Sequence, residues 1–449
     1  MKVQRDGRSF TVDVTADGEG LVSHAGTALL SQIADRSGLT RALSRELAPM
    51  RERRGAHDPG RIVRDLAVML ADGGEALTDL GAIREQAALF GAVASDSTAY
   101  RAIERIARNP ELLDGLRLAR KAAREHVWGL GLAPERVTID LDATLVGSHS
   151  EKGGAAGNFK GGFGFHPMLA YFEETSEAAA GLLRPGNAGA NTAADQIAVA
   201  EAALEQIPAE RVEEIEVLLR TDSAGAVHEL IEWAREGGIG YSVGFDLTES
   251  VREAILALPE GAWSAAEDQD GEKRPNGEVA EATDLLDLSG WPEGSRVIMR
   301  RERPHPGAQL SFTDADGHRF QAILTDQGGS DLAALECRHR ARARAENEIA
   351  DDKDTGLAKL PFRDFAMNEV WLELVLIAHD LMAWAKGLLL EGELARSRPK
   401  RLRHRLLHVA ARLSFSGRRA RLRLQAGWPW AAELVAAFAR LRDLPAPAG

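Results

Sequence analysis

The spacing of apolar positions changes along the chain, and each change marks a new kind of element. Between Ser23 and about Gly131 apolar residues recur at helical intervals, interrupted by Gly and Pro. Ser95-Asp96 reads as the N-cap and first turn of a helix through Ile106, and Asn109-Pro110 opens another carrying Leu112, Leu113, Leu116 and Leu118. Ahead of them, residues 1–20 alternate weakly around Gly7 and Asp17-Gly18, which predicts a short hairpin. After Gly131 the period shortens to two. Arg136–Val146 reads as a strand, Asn158–Phe172 as a second and Gly181–Arg184 as a short third. Asn191-Thr192 caps a helix through Leu204, and Glu214–Thr221 is a fourth strand. Ala224–Arg235 is helical, Gly237-Gly238 ends it, and Ile239–Leu247 is a fifth strand.

The resulting order, β-β-β-α-β-α-β, makes the fold class α/β and is the order of a ribonuclease-H-like core. Residues 248–330 break the pattern with an acidic loop and strand-like runs at Arg296–Arg301 and His318–Thr325, which predicts a β-rich insertion. An Arg-rich helix follows, Leu360-Pro361-Phe362 stops it, and Asp364–Leu390 is a long apolar helix. The expected organisation is therefore 1–132, a mostly helical N-terminal domain with helix-turn-helix character suited to DNA; 133–247, the first part of the core; 248–330, the insertion; 331–390, two helices completing the core; and 391–449, a helical, basic C-terminal region.

Composition changes this picture little. At 449 residues several domains are expected. The single cysteine, Cys337, excludes an intramolecular disulfide and a Cys-rich zinc site, and suits a reducing cytoplasm. Residues 1–20 lack the apolar run of a signal peptide. Trp371–Leu390 carries Glu373, His379, Asp380 and Lys386, too many charges for a membrane span. Charge matters more. The net value of −13 argues against a nucleic-acid partner, but its distribution reverses that. From Arg396 to Arg423 there are many basic residues, among them Arg401, Arg403, Arg405, Arg412, Arg419, Arg421 and Arg423, and no acid. Arg338–Arg344 forms a second basic run. Local patches of this kind bind DNA regardless of overall sign, although a basic run is also what a solvated helix face looks like.

Candidate chemistry lies in three segments. Asp142 is on the first strand, and Asp140 points to the same side because strand side chains repeat every second residue. Asp222 stands where the fourth strand runs out, the place where open α/β sheets put their sites. In the Arg-rich helix His339, Arg342, Glu346 and Lys353 fall at steps of 3, 4 and 7, one face, with a carboxylate between two permanent cations. Glu348 is an equally good carboxylate by chemistry alone. Each acid also has an ordinary role open to it: Asp222 as a helix N-cap, Asp142 as a turn residue, Glu346 as a surface charge. Three carboxylates from three segments can hold two Mg²⁺ ions, with Mn²⁺ as a substitute, and two ions about 3.5–4 Å apart serve phosphodiester displacement. The tetrapeptide His149-Ser150-Glu151-Lys152 reads as a solvated turn, with DNA contact as its alternative.

The spacing Arg342-x3-Glu346-x6-Lys353 resembles the signature Tyr-x2-Arg-x3-Glu-x6-Lys of bacterial cut-and-paste insertion-sequence transposases, in particular insertion-sequence family 1380. Four further blocks are similar to that family: Thr138–Thr144, Phe159–Pro167, Leu182–Asn187 and Lys353–Leu357. The register selects Glu346 over Glu348, and His339 stands where the pattern has Tyr. The resemblance implies a ribonuclease-H-like core with a β insertion before the Glu helix, an Asp142, Asp222, Glu346 triad holding Mg²⁺, and action on terminal inverted repeats of double-stranded DNA. It further implies phosphate contacts from the His339, Arg342 and Lys353 positions in support of a hairpin intermediate, and a homodimer pairing two ends. The rivals are a non-catalytic DNA-binding regulator, a Mg²⁺-dependent nuclease without strand transfer, and a paired-carboxylate glycosidase, the last giving no reason for the basic runs.

Overall fold

The computed structural model describes residues 2–5, 8–51, 57–148, 151–189, 191–212, 214–304, 314–315 and 317–447. His149 and Ser150 of the tetrapeptide above therefore lie outside the described residues. The N-terminal alternation is realised as a hairpin of Lys2–Arg5 with Arg8–Thr11.

The period-two stretch builds a mixed sheet. Its main strands are β1 (Arg136–Ala143), β2 (Met168–Phe172), β3 (Glu177–Leu182), β4 (Glu216–Thr221), β5 (Gly240–Phe245), β6 (Ser264–Glu267), β7 (Lys273–Glu281), β8 (Arg296–Glu302) and β9 (His318–Thr325), with the two-residue strand Asp314–Ala315 pairing beside β9. They run in the order β6-β7-β8-β9-β5-β4-β1-β2-β3. β4 is parallel to β1 and to β5, and the other pairings are antiparallel. The β-β-β-α-β-α-β order holds, with α3 (Ala193–Glu205) and α4 (His228–Glu236) as the crossovers.

Three expectations are corrected. The second strand is shorter than Asn158–Phe172. Ala156–Gly157 and Phe163–Phe165 instead join Val146–Gly147 in a small separate sheet, because Gly161 at φ 76° turns the chain between them. The third strand starts at Glu177, earlier than Gly181. The C-terminal basic stretch is not all helix: Ala411–Ser416 (β10) and Arg419–Leu424 (β11) form a hairpin whose free edge is β11. The strand-like runs of 248–330 extend the central sheet. β9 pairs with β5 in the register Val243↔Leu324, and Tyr241, Val243, Val297, Met299 and Leu324 share one apolar cluster.

The remaining architecture follows from the long helix α7 (Phe365–Leu389). It is apolar all round because it is covered all round, by β3 on one side and by α1 (Pro59–Ala71) and α2 (Pro110–Val127) on the other. Its charged residues Glu373 and Asp380 are buried and paired with Arg120 and Arg124 of α2. Among the described residues no helix is long and apolar enough to cross a membrane.

Candidate active site

Asp140 and Arg220 occupy directly opposed positions on the parallel strands β1 and β4. Both are buried, and Arg220 grips both carboxylate oxygens, Nε to Oδ1 at 2.6 Å and Nη2 to Oδ2 at 2.7 Å. Asp140 is thus spent inside the sheet. Two residues further on, on the same side, Asp142 and Asp222 are the next members of each row. Asp142 is only partly covered, while Asp222 is exposed, one step past the end of β4. Asp222 also caps the short turn Ser223–Gly225, its Oδ1 accepting from the Ala224 N–H at 3.1 Å, so its ordinary role and its candidate role coexist. The turn crosses tightly over β5: a Cβ at Gly244 would lie 2.6 Å from the Ser223 nitrogen.

Glu346 arrives from above on a helix that is not continuous. α5 (Leu332–Arg340) and α6 (Ala343–Asp352) are separated at Ala341-Arg342, which corrects the single helix expected. The cause is Arg220. Its Nη1 donates to the Arg338 carbonyl, the group that would accept from the Arg342 N–H in an unbroken α-helix. The Arg342 N–H bonds to the His339 carbonyl instead, at 3.0 Å. Both joint residues keep right-handed helical dihedrals, so the angular phase survives the break. Arg342 then reaches between two acids, with Nη1 at 3.6 Å from Asp142 Oδ2 and Nη2 at 3.5 Å from Glu346 Oε1.

The other members of the face have different fates. His339 Nδ1 lies 3.0 Å from Ser242 Oγ on β5, and burial together with the Arg220 and Arg342 charges lowers its pKa to about 3, so it is neutral. Lys353 Nζ donates to Thr144 Oγ1 at 2.7 Å, just past β1, and burial lowers its pKa. Glu348, the chemical equal of Glu346, turns inward to His379 Nε2 at 3.6 Å, and burial raises its pKa.

Asp222, His339, Arg342 and Glu346 line an open cleft of about 600 Å³, with Arg274, Arg300, Arg319 and Arg340 also on its walls. Burial raises the Asp142 pKa to about 6; Arg342 opposes the rise, and the Asp222 and Glu346 charges add to it. Those couplings put the Asp222 and Glu346 charges within electrostatic reach of Asp142, which itself is not among the residues lining the cleft. Among the described residues, the one set of three His, Cys, Asp or Glu side chains with ligand atoms all within 4.8 Å of one another is His24, Asp72 and His408. Asp142, Asp222 and Glu346 therefore stand wider apart than one ion demands. Their oxygens are nonetheless the donor type that hard divalent cations take. A proton on Asp142 must leave before that oxygen can ligate. Mn²⁺ affinity measured by calorimetry is thus expected to be flat above about pH 6 and to fall about tenfold per unit below it, with proton uptake by the buffer in the acid range.

The basic C-terminal residues divide. Arg403 is buried and donates to the carbonyls of Leu70, Ala71 and Asp354 and to Thr355 Oγ1. Arg401 and Arg405 sit nearer the surface, each 3.1 Å from Glu393 Oε1. On the hairpin, the register Arg412↔Arg423, Ser414↔Arg421 and Ser416↔Arg419 puts four exposed arginines on one face. Arg220 was missed from the sequence. Its signal was an arginine in an apolar strand two residues before Asp222, hence on the same side.

The family model described as transposase DDE domain, group 1, matches residues 4–446. No curated protein matches the sequence. Among solved structures, the chain is similar to a piggyBac transposase in a synaptic complex with hairpin DNA, at 10% identity and a TM-score of 0.38, covering 85% of this chain and 80% of that one.

Proposed function

The chain belongs to the family of DDE-domain transposases of group 1, and from that membership we propose that it excises and integrates an insertion sequence of the family-1380 kind, acting as a homodimer on the terminal inverted repeats of double-stranded DNA. Asp142, Asp222 and Glu346 are the ligands of two Mg²⁺ ions in this reading. Bound there, the ions supply an activated attacking oxygen and a stabilised leaving oxygen for phosphodiester displacement. The single observation that carries the reading is that Arg342 bridges Asp142 of a strand and Glu346 of a helix, while Asp222, at a strand end, lines the cleft with Arg342 and Glu346 and its charge acts on Asp142.

The chain's own residues have separate tasks. Arg342 stands between two carboxylates at the cleft, and its planar guanidinium suits two phosphate oxygens. Lys353 supplies a second cation on the Thr144 side of the same strand end. His339, neutral and facing the cleft, offers a hydrogen bond without a charge. The Asp140–Arg220 pair positions the joint that aims Arg342 and Glu346. Arg401 at the surface and the half-buried Arg405, with the four arginines of the hairpin, neutralise DNA backbone charge, while Arg403 works from beneath by fixing the Asp354–Thr355 turn behind Lys353.

The test is a joining assay. Full-length protein with Mg²⁺, a labelled duplex cut from the DNA flanking the gene and a supercoiled plasmid is expected to yield cleavage at the repeat end and label joined to plasmid. A denaturing gel separates a hairpin end from an open one. Cleavage without joining would leave a nuclease, and binding without cleavage a regulator; either outcome defeats the proposal.

A further inference from the structure

A second constellation lies away from the carboxylate cleft, where the beginning and the end of the chain meet the helical layer. His24 precedes the turn Ala25–Thr27, Asp72 caps the C-terminus of α1, and His408 follows the turn Arg403–Leu407. His24 Nδ1 is 2.5 Å from Asp72 Oδ2, and His408 Nε2 is 3.1 Å from Asp72 Oδ1 and 2.9 Å from the Asp72 carbonyl oxygen. The imidazole centroids are 4.2 Å apart at 34°. One ligand atom from each residue falls within 4.8 Å of the other two.

Several features make this a built site. Asp72 is buried, and Thr27 Oγ1 donates to its Oδ1 at 2.5 Å, the kind of outer contact that orients a ligating carboxylate. His24 is held at φ 51°, a conformation uncommon outside glycine, and in it the ring reaches Asp72. The flanking backbones are already locked together: the Ala25 N–H donates to the Val409 carbonyl at 3.0 Å, and a Cβ at Gly26 would lie 1.9 Å from the Leu406 oxygen. The two imidazoles keep side-chain exposures of 27% and 37%, which leaves an entry path and room for a water ligand. Two imidazole nitrogens and one carboxylate oxygen, with an open fourth position, are the donor set of a borderline cation; Mg²⁺ prefers oxygen alone.

We propose that His24, Asp72 and His408 bind one Zn²⁺-class divalent cation, distinct from the ions of the carboxylate cleft, which staples the N-terminal segment and the C-terminal basic region to the end of α1. The staple has a route to the cleft. Asp72 follows Ala71, whose carbonyl accepts from Arg403, and Arg403 also holds Asp354 and Thr355 next to Lys353. Cation binding therefore stiffens the support under one of the cationic residues of the Glu helix. This inference stands apart from the transposition reading and survives its failure.

Full-length protein stripped with chelator and then titrated with Zn²⁺ against a chromophoric chelator tests it. The expected result is one equivalent bound with a Kd below about 1 μM, undisturbed by millimolar Mg²⁺, and a higher melting temperature. His24→Ala and His408→Ala weaken binding by about 100-fold or more, since even outer contacts are worth about 10–100-fold. His408→Cys, which substitutes a thiolate ligand, retains binding within about tenfold and guards against mere misfolding of the alanine variants. The triple variant Asp142→Asn, Asp222→Asn, Glu346→Gln binds Zn²⁺ as the parent does. No equivalent bound below about 10 μM, affinity unchanged in the His24→Ala and His408→Ala variants, or loss of the ion in the triple variant overturns the proposal.

Discussion

Replacing Asp222 by Asn is expected to slow Mg²⁺-dependent cleavage of a repeat-end duplex by about 10³-fold while the protein stays folded and bound to DNA. The substitution removes one charge and almost nothing else. Asp222 is exposed, and the amide oxygen of Asn still accepts the Ala224 N–H, so the turn Ser223–Gly225 keeps its cap. A surface change of this kind shifts stability by no more than about 0.5 kcal/mol. The catalytic loss comes from the cation the carboxylate helps to hold. That cation's stabilisation of transition-state charge is worth several kcal/mol, and three decades of rate correspond to about 4 kcal/mol. Proton affinity at Asp142 supplies a second readout. The Asp222 charge helps to raise the Asp142 pKa, so the variant's Mn²⁺ affinity should begin to fall at a lower pH than the parent's. Cleavage within about tenfold of the parent by a folded, DNA-bound variant would remove Asp222 from the site.

What the sequence revealed, and what it hid, follows from the range of the forces involved. The core order was legible because alternation and helical spacing are local, and Asp222 was legible because a charge at the end of an apolar strand is conspicuous. The break at Arg342 had no local cause. It depends on a guanidinium from β4 taking a carbonyl of the Arg-rich segment, a partner more than a hundred residues away in sequence. The C-terminal hairpin had a local signal that charge obscured: Leu413 and Phe415, Gly417, then Leu422 and Leu424, with arginines between them, is a period of two around a turn. The same density of arginine made Arg403 look like its neighbours, although its partners are three backbone carbonyls and a threonine hydroxyl. The His24, Asp72 and His408 set has no spacing rule at all, since its members come from three distant segments.

The buried charges of α7 lead to the largest expected effect on stability. Sequence excluded a membrane span on account of Glu373 and Asp380, yet both are buried as deeply as the leucines beside them. Arg124 makes this possible. Fully buried, its Nε lies 3.0 Å from Glu177 Oε1 and its Nη2 3.1 Å from Asp380 Oδ2, and Nη2 also donates to the Ala178 carbonyl at 2.9 Å. Arg124→Met keeps most of the volume and deletes the charge, so cavity formation is a minor term and the cost is that of uncompensated carboxylates. Breaking one side of a buried pair costs about 3–5 kcal/mol. The lower end applies here, because partners remain: the Trp128 and Trp384 indoles donate to Glu177 at 2.7 and 2.6 Å, and Arg120 and the Ala178 N–H still serve Asp380, each at 3.0 Å. About 3 kcal/mol is still a large share of the 5–15 kcal/mol that a folded domain commands. Arg401→Ala is the matched control, since its pair with Glu393 has both side chains more than half exposed and is worth about 0–1 kcal/mol. Urea unfolding followed by tryptophan fluorescence compares the two variants directly. A shift for Arg124→Met no larger than that for Arg401→Ala would mean that the arginine spans its carboxylates without compensating them, and that Arg120 and the apolar contacts suffice to hold α2 to α7.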